Sequence, residues 1–540
     1  MPHVRIFGRG KPRPAPCTLC SVPSALRSAL SLTLLTCAVL LVHGFHPYAD
    51  DAGIYTAGVL KLANPALFQP DAAFVLANTR LSVFPYLLAA LMRGTGISLN
   101  ALLLGAHLLT IYAFLLACLV LVRRVFSSTA ARWSAVTLAA ACFTLPAAGS
   151  ALLLMDPYVT PRSFSTPLGL FALAAVIDRK IPPHRALLRA ALLLILAALM
   201  HPLMAAYAAA IVLVVFLIDQ HHARLAVALS AMGPLAAAVL YLANLHTYAT
   251  PAYRQAILLP VHSYLFPLHW VHRDYIGVVA PIAYFAILAR RLGSRSPAGR
   301  ISIAALLVAI SSTVSAFLFI HPGGPYLLAR LQPMRSFQML FVIAVLLTGG
   351  FLGSYLADRA RTQSRNASRL APRLALIALP LATAAVMFFV QRYNYPSSAH
   401  IEWPGETPRN PWQQVFLWIR DRTPANAVFA ATPDLISLDG EDSQGFRPIA
   451  LRSLLANDKD SGVVVVFPGL AGQWATERNP QEGIDQLSDA ERTARLRPLG
   501  VTWLLLSSTA ASSLHCPFRN SVALICQLVS PSQSSAAARR

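Results

Sequence analysis

Long apolar runs separated by short polar segments fill the chain up to about residue 390, and they constrain its fold more than any other feature. A helix needs about 20 apolar residues to cross the hydrocarbon core of a bilayer. Because the runs have this character, the chain is predicted to be a polytopic α-helical membrane protein with about 11 transmembrane helices. The predicted spans are about 23–45, 98–122, 131–154, 163–178, 186–200, 203–218, 224–243, 275–289, 301–320, 336–357 and 373–390.

Two stretches do not fit a single straight span. A single helix over 186–218 would be roughly 50 Å long, so a turn is predicted at His201-Pro202. The segment 80–97 is interrupted by two arginines and a proline, which leave little continuous apolar length. It is predicted to lie along the membrane interface as an amphipathic helix, with a twelfth span as the alternative.

The positive charge of the chain is concentrated in loops between apolar runs. Lys and Arg number 44 and Asp and Glu 22, a net charge of +22, and the whole excess falls within residues 1–391. Clusters between runs are typical of cytoplasmic loops, whereas a nucleic-acid-binding protein would concentrate charge on one folded face, so no nucleic-acid partner is expected. With 80–97 outside the bilayer, 22 basic residues fall on the side of the N-terminus and 8 on the other. The sequence therefore predicts a cytoplasmic N-terminus and an extracytoplasmic C-terminal domain.

Composition also divides the chain into segments. The first span follows basic residues but precedes no A-x-A-like cleavage site, so it is predicted to be an uncleaved anchor. A segment rich in Pro and Ser follows the last span and is typical of a linker. The predicted segments are a cytoplasmic basic leader (1–22), a transmembrane domain (23–391) with a first outside loop (46–97), a linker (392–410), an α/β domain (411–530) and a disordered tail (531–540).

The segment after the linker alternates helical patterns with short apolar runs, which predicts a small α/β domain. No glycine-rich phosphate loop follows any of its predicted strands. Cys516 and Cys526 flank a possible hairpin in this domain, and a disulfide is expected between them in an oxidising compartment. The predicted helices are 411–422 and 488–497, and the predicted strands are 427–432, 463–467 and 501–506.

Acidic and basic residues meet on the predicted outer side of the membrane. Asp50 and Asp51 directly follow the first span, and a carboxylate pair at the membrane surface is costly unless it binds a cation or a proton. Carboxylates can activate a hydroxyl or hold a divalent cation, and arginines can grip phosphate with two hydrogen bonds. Together these residues predict transfer of a group from a lipid-linked phosphate donor. The other candidates on this side are Asp156, Arg162, Arg330 and Arg335, with His201, His262, His269 and His272.

Structural roles are the alternative for each of these residues. The pair Asp50-Asp51 fits the cap of a helix that starts near Ala52. The two arginines Arg162 and Arg335 fit side chains that reach from span ends towards water. Asp156 lies six residues from Arg162 and fits its ion-pair partner. The three histidines at 262–272 fit a wet loop rich in aromatic residues as well as a metal site.

Several motifs resemble those of the GT-C membrane glycosyltransferases. They are HPYADDAGIY (46–55), MDPYVTPRSFSTPLGLFALA (155–174) and ALMHPLMAAYAA (198–209), with WIRDRTPANAVFAA (418–431) and FRPIALRSLLANDKD (446–460) in the tail. The resemblance covers about residues 25–530 and implies a GT-C-like membrane domain that uses a polyprenyl-phosphate-linked sugar as donor. The chain lacks the W-W-D-Y-G motif of the oligosaccharyltransferase subgroup and carries Asp-Pro-Tyr in place of Asp-x-Asp.

The resemblance also implies roles for individual residues. Asp51 or Asp50 would be the catalytic base or a metal ligand, and Asp156 would be the carboxylate of the second outside loop. Asp50 and Asp156 would then hold a divalent cation, Mg²⁺ or Mn²⁺. Arg335 would bind the donor phosphate, with Arg162 and Arg330 beside it.

The expected protein is therefore a glycosyltransferase of the bacterial inner membrane. It would transfer a sugar from a polyprenyl-phosphate donor to a periplasmic glycan, lipid or protein. The alternatives are a multi-span transporter or lipid-carrier flippase, which would place ionisable residues in mid-span, and a non-catalytic scaffold for envelope assembly.

Overall fold

A computed structural model of the protein describes residues 24–147, 149–247, 249–362, 366–435 and 445–528, apart from the side chains of 366–373. The predicted basic leader (1–22) and the predicted tail (531–540) lie outside these residues. The membrane part contains sixteen α-helices among the described residues. In chain order they are α1 (Ser24–His43), α2 (Asp51–Ala63), α3 (Ala72–Ala77), α4 (Phe84–Thr95), α5 (Leu99–Val125), α6 (Thr129–Ala141), α7 (Pro161–Ile177), α8 (Pro183–Met200), α9 (Pro202–Asp219), α10 (Ala223–Ala243), α11 (Pro251–Ile257), α12 (His272–Leu292), α13 (Pro297–Phe319), α14 (Leu327–Leu331), α15 (Ser336–Thr362) and α16 (Asn366–Asn394).

The apolar helices make the protein a polytopic membrane protein. Within the described ranges, nine of the eleven predicted spans correspond to helices that are long and apolar enough to cross a bilayer, namely α1, α5, α8, α9, α10, α12, α13, α15 and α16. Helix α7 is apolar but shorter, with 17 residues. The boundary predicted inside 186–218 is confirmed, because α8 ends at Met200 and α9 begins at Pro202.

The predicted helix over 131–154 was wrong in its second half. Helix α6 has only 13 residues and ends at Ala141. The chain then turns back in a short antiparallel hairpin of β1 (Pro146–Ala147) and β2 (Leu152–Leu153). Pro146 lacks the backbone N–H that a continued helix would require. Gly149, in the turn between the two strands, has a φ of +76°, a conformation that favours glycine. The hairpin leads directly into the outside loop that carries Asp156.

The segment predicted to lie along the interface forms a helix that is sharply bent from its neighbour. Helix α4 occupies most of 80–97 and meets the preceding helical segment, Ala72–Leu81, at 106°. The two segments therefore do not form one straight span. Helix α4 ends at Thr95 and is followed by Gly96, which adopts the left-handed conformation common after a helix C-terminus.

Ion pairs connect the helix ends at one end of the bundle. Arg124, at the end of α5, binds Asp178, which follows α7, at 2.6 Å. Asp219, at the end of α9, binds Arg300 at 2.9 Å and Arg179 at 3.2 Å. Helices α7 and α9 start at the opposite end of the bundle, so this cluster and the outside loops lie at opposite ends.

The C-terminal domain is a small α/β sandwich. Its sheet has the strand order β4-β3-β5-β7-β6, in which β4, β3 and β5 are parallel and the pairs β5–β7 and β7–β6 are antiparallel. The helix predicted at 411–422 is confirmed, as are the strands predicted at 427–432 and 501–506. The elements are α17 (Pro411–Arg422), β3 (Val428–Ala431), α18 (Phe446–Ala450), β4 (Ser453–Leu454), α19 (Ser461–Val466), α20 (Ala471–Arg478), α21 (Asp489–Leu496), β5 (Trp503–Ser507), β6 (Phe518–Arg519) and β7 (Ala523–Gln527).

Two local features of this domain bear on the sequence predictions. The strand predicted at 463–467 was wrong, because Ser461–Val466 is the short helix α19. Its run of valines is buried among helices α11 and α20, where branched side chains pack without a strand partner. A disulfide joins Cys516 to Cys526 beside the β6–β7 hairpin.

The C-terminal domain is docked on the loops of the membrane part that the sequence predicts to be outside. Phe45 and Tyr48, which follow α1, belong to the same buried apolar cluster as Trp412 and Phe416 of α17. Phe45 also forms a parallel β-bridge with Ile401 in the linker. The domain therefore reaches the start of the first outside loop, where the acidic pair lies.

Candidate functional site

A cavity of about 360 Å³ lies where the outside loops meet the C-terminal domain. Its walls come from the start of α2, the turn between α8 and α9, the loop before α12, the segment before α15 and the turn before α19. The charged side chains that line it are Asp50, Asp51, Arg330, Arg335, Asp458 and Lys459. The structure thus brings together acidic and basic residues that are hundreds of positions apart in the chain.

The acidic pair faces the cavity rather than capping a helix. Asp50 precedes α2 but makes no capping hydrogen bond with its side chain, and its φ of +46° is uncommon for a residue other than glycine. Its carboxylate accepts a hydrogen bond from the Tyr158 hydroxyl at 2.9 Å and another from Lys459. Asp51 Oδ1 lies 3.2 Å from Lys459 Nζ. Both carboxylates therefore share one ammonium group.

Asp156 and Arg162 form a buried ion pair beside this acidic pair. Arg162 Nη2 and Nε lie 2.7 and 3.2 Å from Asp156 Oδ2, and Arg162 Nη1 lies 3.8 Å from Asp51 Oδ2. Because the Arg162 side chain is only 5% exposed, it does not reach from a span end into water. It also does not line the cavity. The sequence prediction that Arg162 binds the donor phosphate is therefore not supported by its placement, and its charge serves the two carboxylates.

Burial and charge set different protonation states for the carboxylates. Burial raises the pKa of Asp51, but the neighbouring charges of Lys459, Arg162 and Arg335 outweigh it and hold that pKa well below its usual range. For Asp156 burial dominates over Arg162 and raises the pKa to about 6, with a smaller contribution from Asp50 and Asp51. Both groups are ionised at neutral pH, and Asp51 remains so in mild acid.

Two arginines enter the cavity from the segment before α15. Arg335 lies with its guanidinium carbon 5.5 Å from the ring centre of Tyr264, and its Nε is buried without a hydrogen-bond partner. Arg330 donates from Nη2 to the Val466 carbonyl at 2.7 Å. Arg335 Nη2 also donates to the Tyr264 hydroxyl at 3.5 Å, so Tyr264 holds the guanidinium while the Nε–H donor stays available. Arg335 is therefore the better placed of the two for an anionic ligand.

Two of the four candidate histidines line the cavity. His201 occupies the turn between α8 and α9, and His262 Nε2 lies 2.7 Å from Ser461 Oγ. Burial lowers the pKa of His262 to about 4, helped by the charges of Lys459 and Arg335, so the ring is neutral at pH 7. His269 and His272 are exposed and do not line the cavity.

The residues present do not fit a divalent cation. Among the described residues, no group of three or more His, Cys, Asp and Glu side chains is placed to hold a metal ion. The predicted ligand Asp50 is bound by Lys459 and Tyr158, and the predicted ligand Asp156 is bound by Arg162. Lys459 and Arg162 therefore already pair with the two carboxylates that were predicted to bind a metal ion.

Sequence reasoning missed Lys459, Tyr158 and Tyr264. Lys459 lies in the stretch NDKDSG, whose composition is typical of an exposed turn. The two tyrosines lie in predicted outside loops, where aromatic residues are common. The tail motif that ends at 460 was the one signal in the sequence that pointed towards Lys459.

Comparison with known proteins gives partial likeness in fold. Neither a protein-family model nor a curated protein sequence matches the chain. The apo oligosaccharyltransferase of Archaeoglobus fulgidus is 13% identical, and the match covers 90% of this chain and 70% of that one at a TM-score of 0.47. The archaeal oligosaccharyltransferase AglB from the same organism, in complex with an inhibitory peptide and a dolichol-phosphate, matches with the same identity and coverage at a TM-score of 0.42.

Proposed function

We propose that the protein is a membrane glycosyltransferase that moves a sugar from a polyprenyl-phosphate donor to a hydroxyl-bearing acceptor outside the cytoplasm. The acceptor classes are a periplasmic glycan, lipid or protein, and the membrane is the bacterial inner membrane. The observation that carries the proposal is the cavity in which an ionised Asp51 faces Arg335 and Arg330. Such a site presents a proton acceptor and a phosphate-binding group to the same small volume.

The reaction assigns Asp51 to the acceptor. Its carboxylate accepts a hydrogen bond from the acceptor hydroxyl and takes the proton as the new bond forms between that oxygen and the anomeric carbon of the sugar. A carboxylate with a low pKa is a weak base towards a free hydroxyl. The hydroxyl becomes far more acidic once its oxygen begins to bond to carbon, so proton transfer late in the step suits this group.

The arginines are assigned to the leaving group. As the bond between the anomeric carbon and the phosphate oxygen breaks, its electron pair leaves with polyprenyl phosphate, whose negative charge grows. Arg335, with an unpartnered N–H and a guanidinium held against Tyr264, is placed to stabilise that charge, and Arg330 adds to the local potential. Arg162 acts on Asp51 and Asp156 and is a positioning residue.

Charge placement disfavours the transporter alternative. In the described spans, charged residues lie towards helix ends, as do Arg123 and Arg124 in α5, Asp219 in α9 and Arg300 in α13. Transporters place ionisable residues near the middle of the bilayer, often at broken helices. Scaffolds for envelope assembly do not require a charged internal cavity.

Donor binding tests the proposal most directly. Purified full-length protein is titrated with undecaprenyl-phosphate sugars, and wild type is compared with Arg335→Ala. Because a hydrogen bond to a charged group contributes about 1.5–3 kcal/mol, the dissociation constant should rise by roughly 10- to 150-fold. Arg273→Ala is the matched control, since Arg273 is exposed on the same side and does not line the cavity. A folded wild-type sample that binds none of these lipids would move the weight of evidence to a transporter or a scaffold.

Transfer itself tests the role of the acidic pair. Asp51→Asn keeps the shape of the side chain but cannot take the proton, so transfer should be lost while donor binding is retained. Full transfer activity in the double variant Asp50→Asn/Asp51→Asn would contradict the proposed mechanism.

A further inference from the structure

One ammonium group from the C-terminal domain bridges the two acidic residues of the first outside loop. Lys459 Nζ binds Asp50 Oδ1 and lies 3.2 Å from Asp51 Oδ1. The Lys459 side chain is only 15% exposed, compared with 47% for Asp50 and 31% for Asp51. The lysine is therefore more enclosed than the carboxylates that it joins, and it lies in a fixed place rather than in solvent.

Hydrogen bonds to the Asn457 side chain hold the turn that carries this lysine. The backbone N–H groups of Lys459 and Asp460 both donate to Asn457 Oδ1, at 2.9 and 3.2 Å. These bonds define the turn before α19. The position of Lys459 thus follows from the local fold of its own segment.

A buried ion-pair network ties this turn to the first outside loop. Arg447 Nη1 and Nη2 bind the two carboxylate oxygens of Asp460 at 2.8 and 2.9 Å. Arg447 Nε binds Asp71 Oδ2 at 2.6 Å. Since Asp71 belongs to the same loop as Asp50 and Asp51, the network links the segment of Lys459 to the loop that carries the acidic pair.

Asp156, the other carboxylate predicted to bind a metal ion, has a cationic partner of its own. Asp156 binds Arg162 through Oδ2, and its Oδ1 is buried without a hydrogen-bond partner. A divalent cation that approached Asp50 and Asp51 would meet the Lys459 ammonium at the same oxygens and would have to displace it. A divalent cation and an ammonium group that share the same carboxylate oxygens repel each other strongly in a partly buried site.

We infer that Lys459 takes the place of a divalent cation at this site. Its ammonium group neutralises part of the charge of Asp50 and Asp51 and orients Asp51 towards the cavity, so the protein functions without a bound metal ion. Lys459 is a positioning residue, and its chemical role rests on the proposed function. Its effect on metal binding does not, because metal binding can be measured without a substrate.

Manganese binding to the substrate-free protein tests this inference. Full-length protein is dialysed against a chelator, and bound Mn²⁺ is measured by electron paramagnetic resonance for wild type, Lys459→Ala and Lys459→Arg. Wild type and Lys459→Arg should show no saturable site, whereas Lys459→Ala should bind one Mn²⁺ with a dissociation constant at least tenfold below that of any residual binding by wild type. That gain should disappear when Asp50→Asn/Asp51→Asn is added to Lys459→Ala. Lys180→Ala is the matched control, since Lys180 is exposed at the opposite end of the bundle.

The possible results separate this inference from the proposed function. Stoichiometric Mn²⁺ binding by wild type that is lost in Asp50→Asn/Asp51→Asn would overturn the inference, whatever the protein transfers. A folded Lys459→Ala variant that gains no Mn²⁺ site would overturn it as well. Should Lys459→Ala fail to fold, wild type and Lys459→Arg still decide, because either one overturns the inference by binding the metal. Failure of donor binding in these same samples would count against the proposed function alone.

Discussion

His262 shows how the cavity controls the protonation of a single side chain. Its ring is buried, its Nε2 is paired with Ser461, and its Nδ1 has no hydrogen-bond partner. The Lys459 and Arg335 charges add to burial in lowering its pKa to about 4, while Asp51 opposes them. The ring therefore stays neutral in the folded protein under conditions in which an exposed histidine gains a proton.

Acidification should destabilise the protein through His262. An unfolded histidine has a pKa of about 6.5, so between pH 6.5 and pH 4 the unfolded state binds a proton that the folded state does not. The contribution of His262 to the free energy of unfolding should be highest above pH 6.5, fall as the pH drops towards 4 and level off below it. His262→Gln should reduce this slope, as measured by thermal unfolding in detergent from pH 4 to 8. His246→Gln is the control, because His246 is exposed, and an equal effect of both variants would contradict the assignment.

Some residues of the site could be predicted from the sequence and others could not. Asp50, Asp51, Arg330 and Arg335 were predicted from their positions beside apolar runs, and the structure places all four on the cavity. Lys459 was missed because no local pattern distinguishes a lysine that will be buried from one that will not. Its burial results from docking against a loop about 400 positions earlier in the chain.

At the level of elements, helix α19 links the two parts of the protein. Its terminal carbonyls receive hydrogen bonds from the membrane part: Val466 O from Arg330 at 2.7 Å and Val465 O from Tyr253 at 3.1 Å. The last carbonyls of a helix have no hydrogen-bond donor within the helix, and here the side chains of Arg330 and Tyr253 donate to them. The valine run in this segment predicted a strand because short apolar runs do not distinguish a buried strand from a buried helix.

Removing Arg447 should destabilise the docking of the C-terminal domain. Arg447→Ala would leave the Asp71 and Asp460 carboxylates buried without their cation, and the loss of one partner from a buried ion pair costs about 3–5 kcal/mol. Thermal unfolding should shift to lower temperature, and the linker should be cleaved faster by a protease. Arg420→Ala should change stability by less than about 1 kcal/mol, because its ion pair with Asp421 is exposed. Equal losses in the two variants would show that the buried network is not needed for docking.

Across the whole molecule, the apolar pattern predicted most of the membrane part. Nine predicted spans correspond to helices of sufficient length, since bilayer thickness sets a strong length requirement that is visible in any sequence. The short helix α6 and its following hairpin could not be read in the same way, because the sequence there remains apolar after the helix ends. Burial inside the bundle, rather than contact with lipid, accounts for that apolar character.

The predicted orientation in the membrane can be tested by labelling. Single cysteines are placed at Thr407 in the linker and at Ser294 between α12 and α13, both exposed, in a protein that keeps only the Cys516–Cys526 pair. A membrane-impermeant maleimide added to spheroplasts should label Thr407→Cys at once and Ser294→Cys only after lysis. This follows from the excess of basic residues in the loops on the side of Ser294. The reverse labelling pattern would overturn the predicted orientation.

The position of Lys459 in the chain also orders the steps of biosynthesis. Every described span precedes it, so the ribosome synthesises those helices before it reaches the lysine. Until then Asp50 and Asp51 face water without their ammonium partner, and the wall of the cavity formed by 458–466 is missing. A newly made chain thus passes through a stage in which the described membrane helices are complete but the cavity is not. The cavity is completed only when the C-terminal domain folds against the loops of the membrane part.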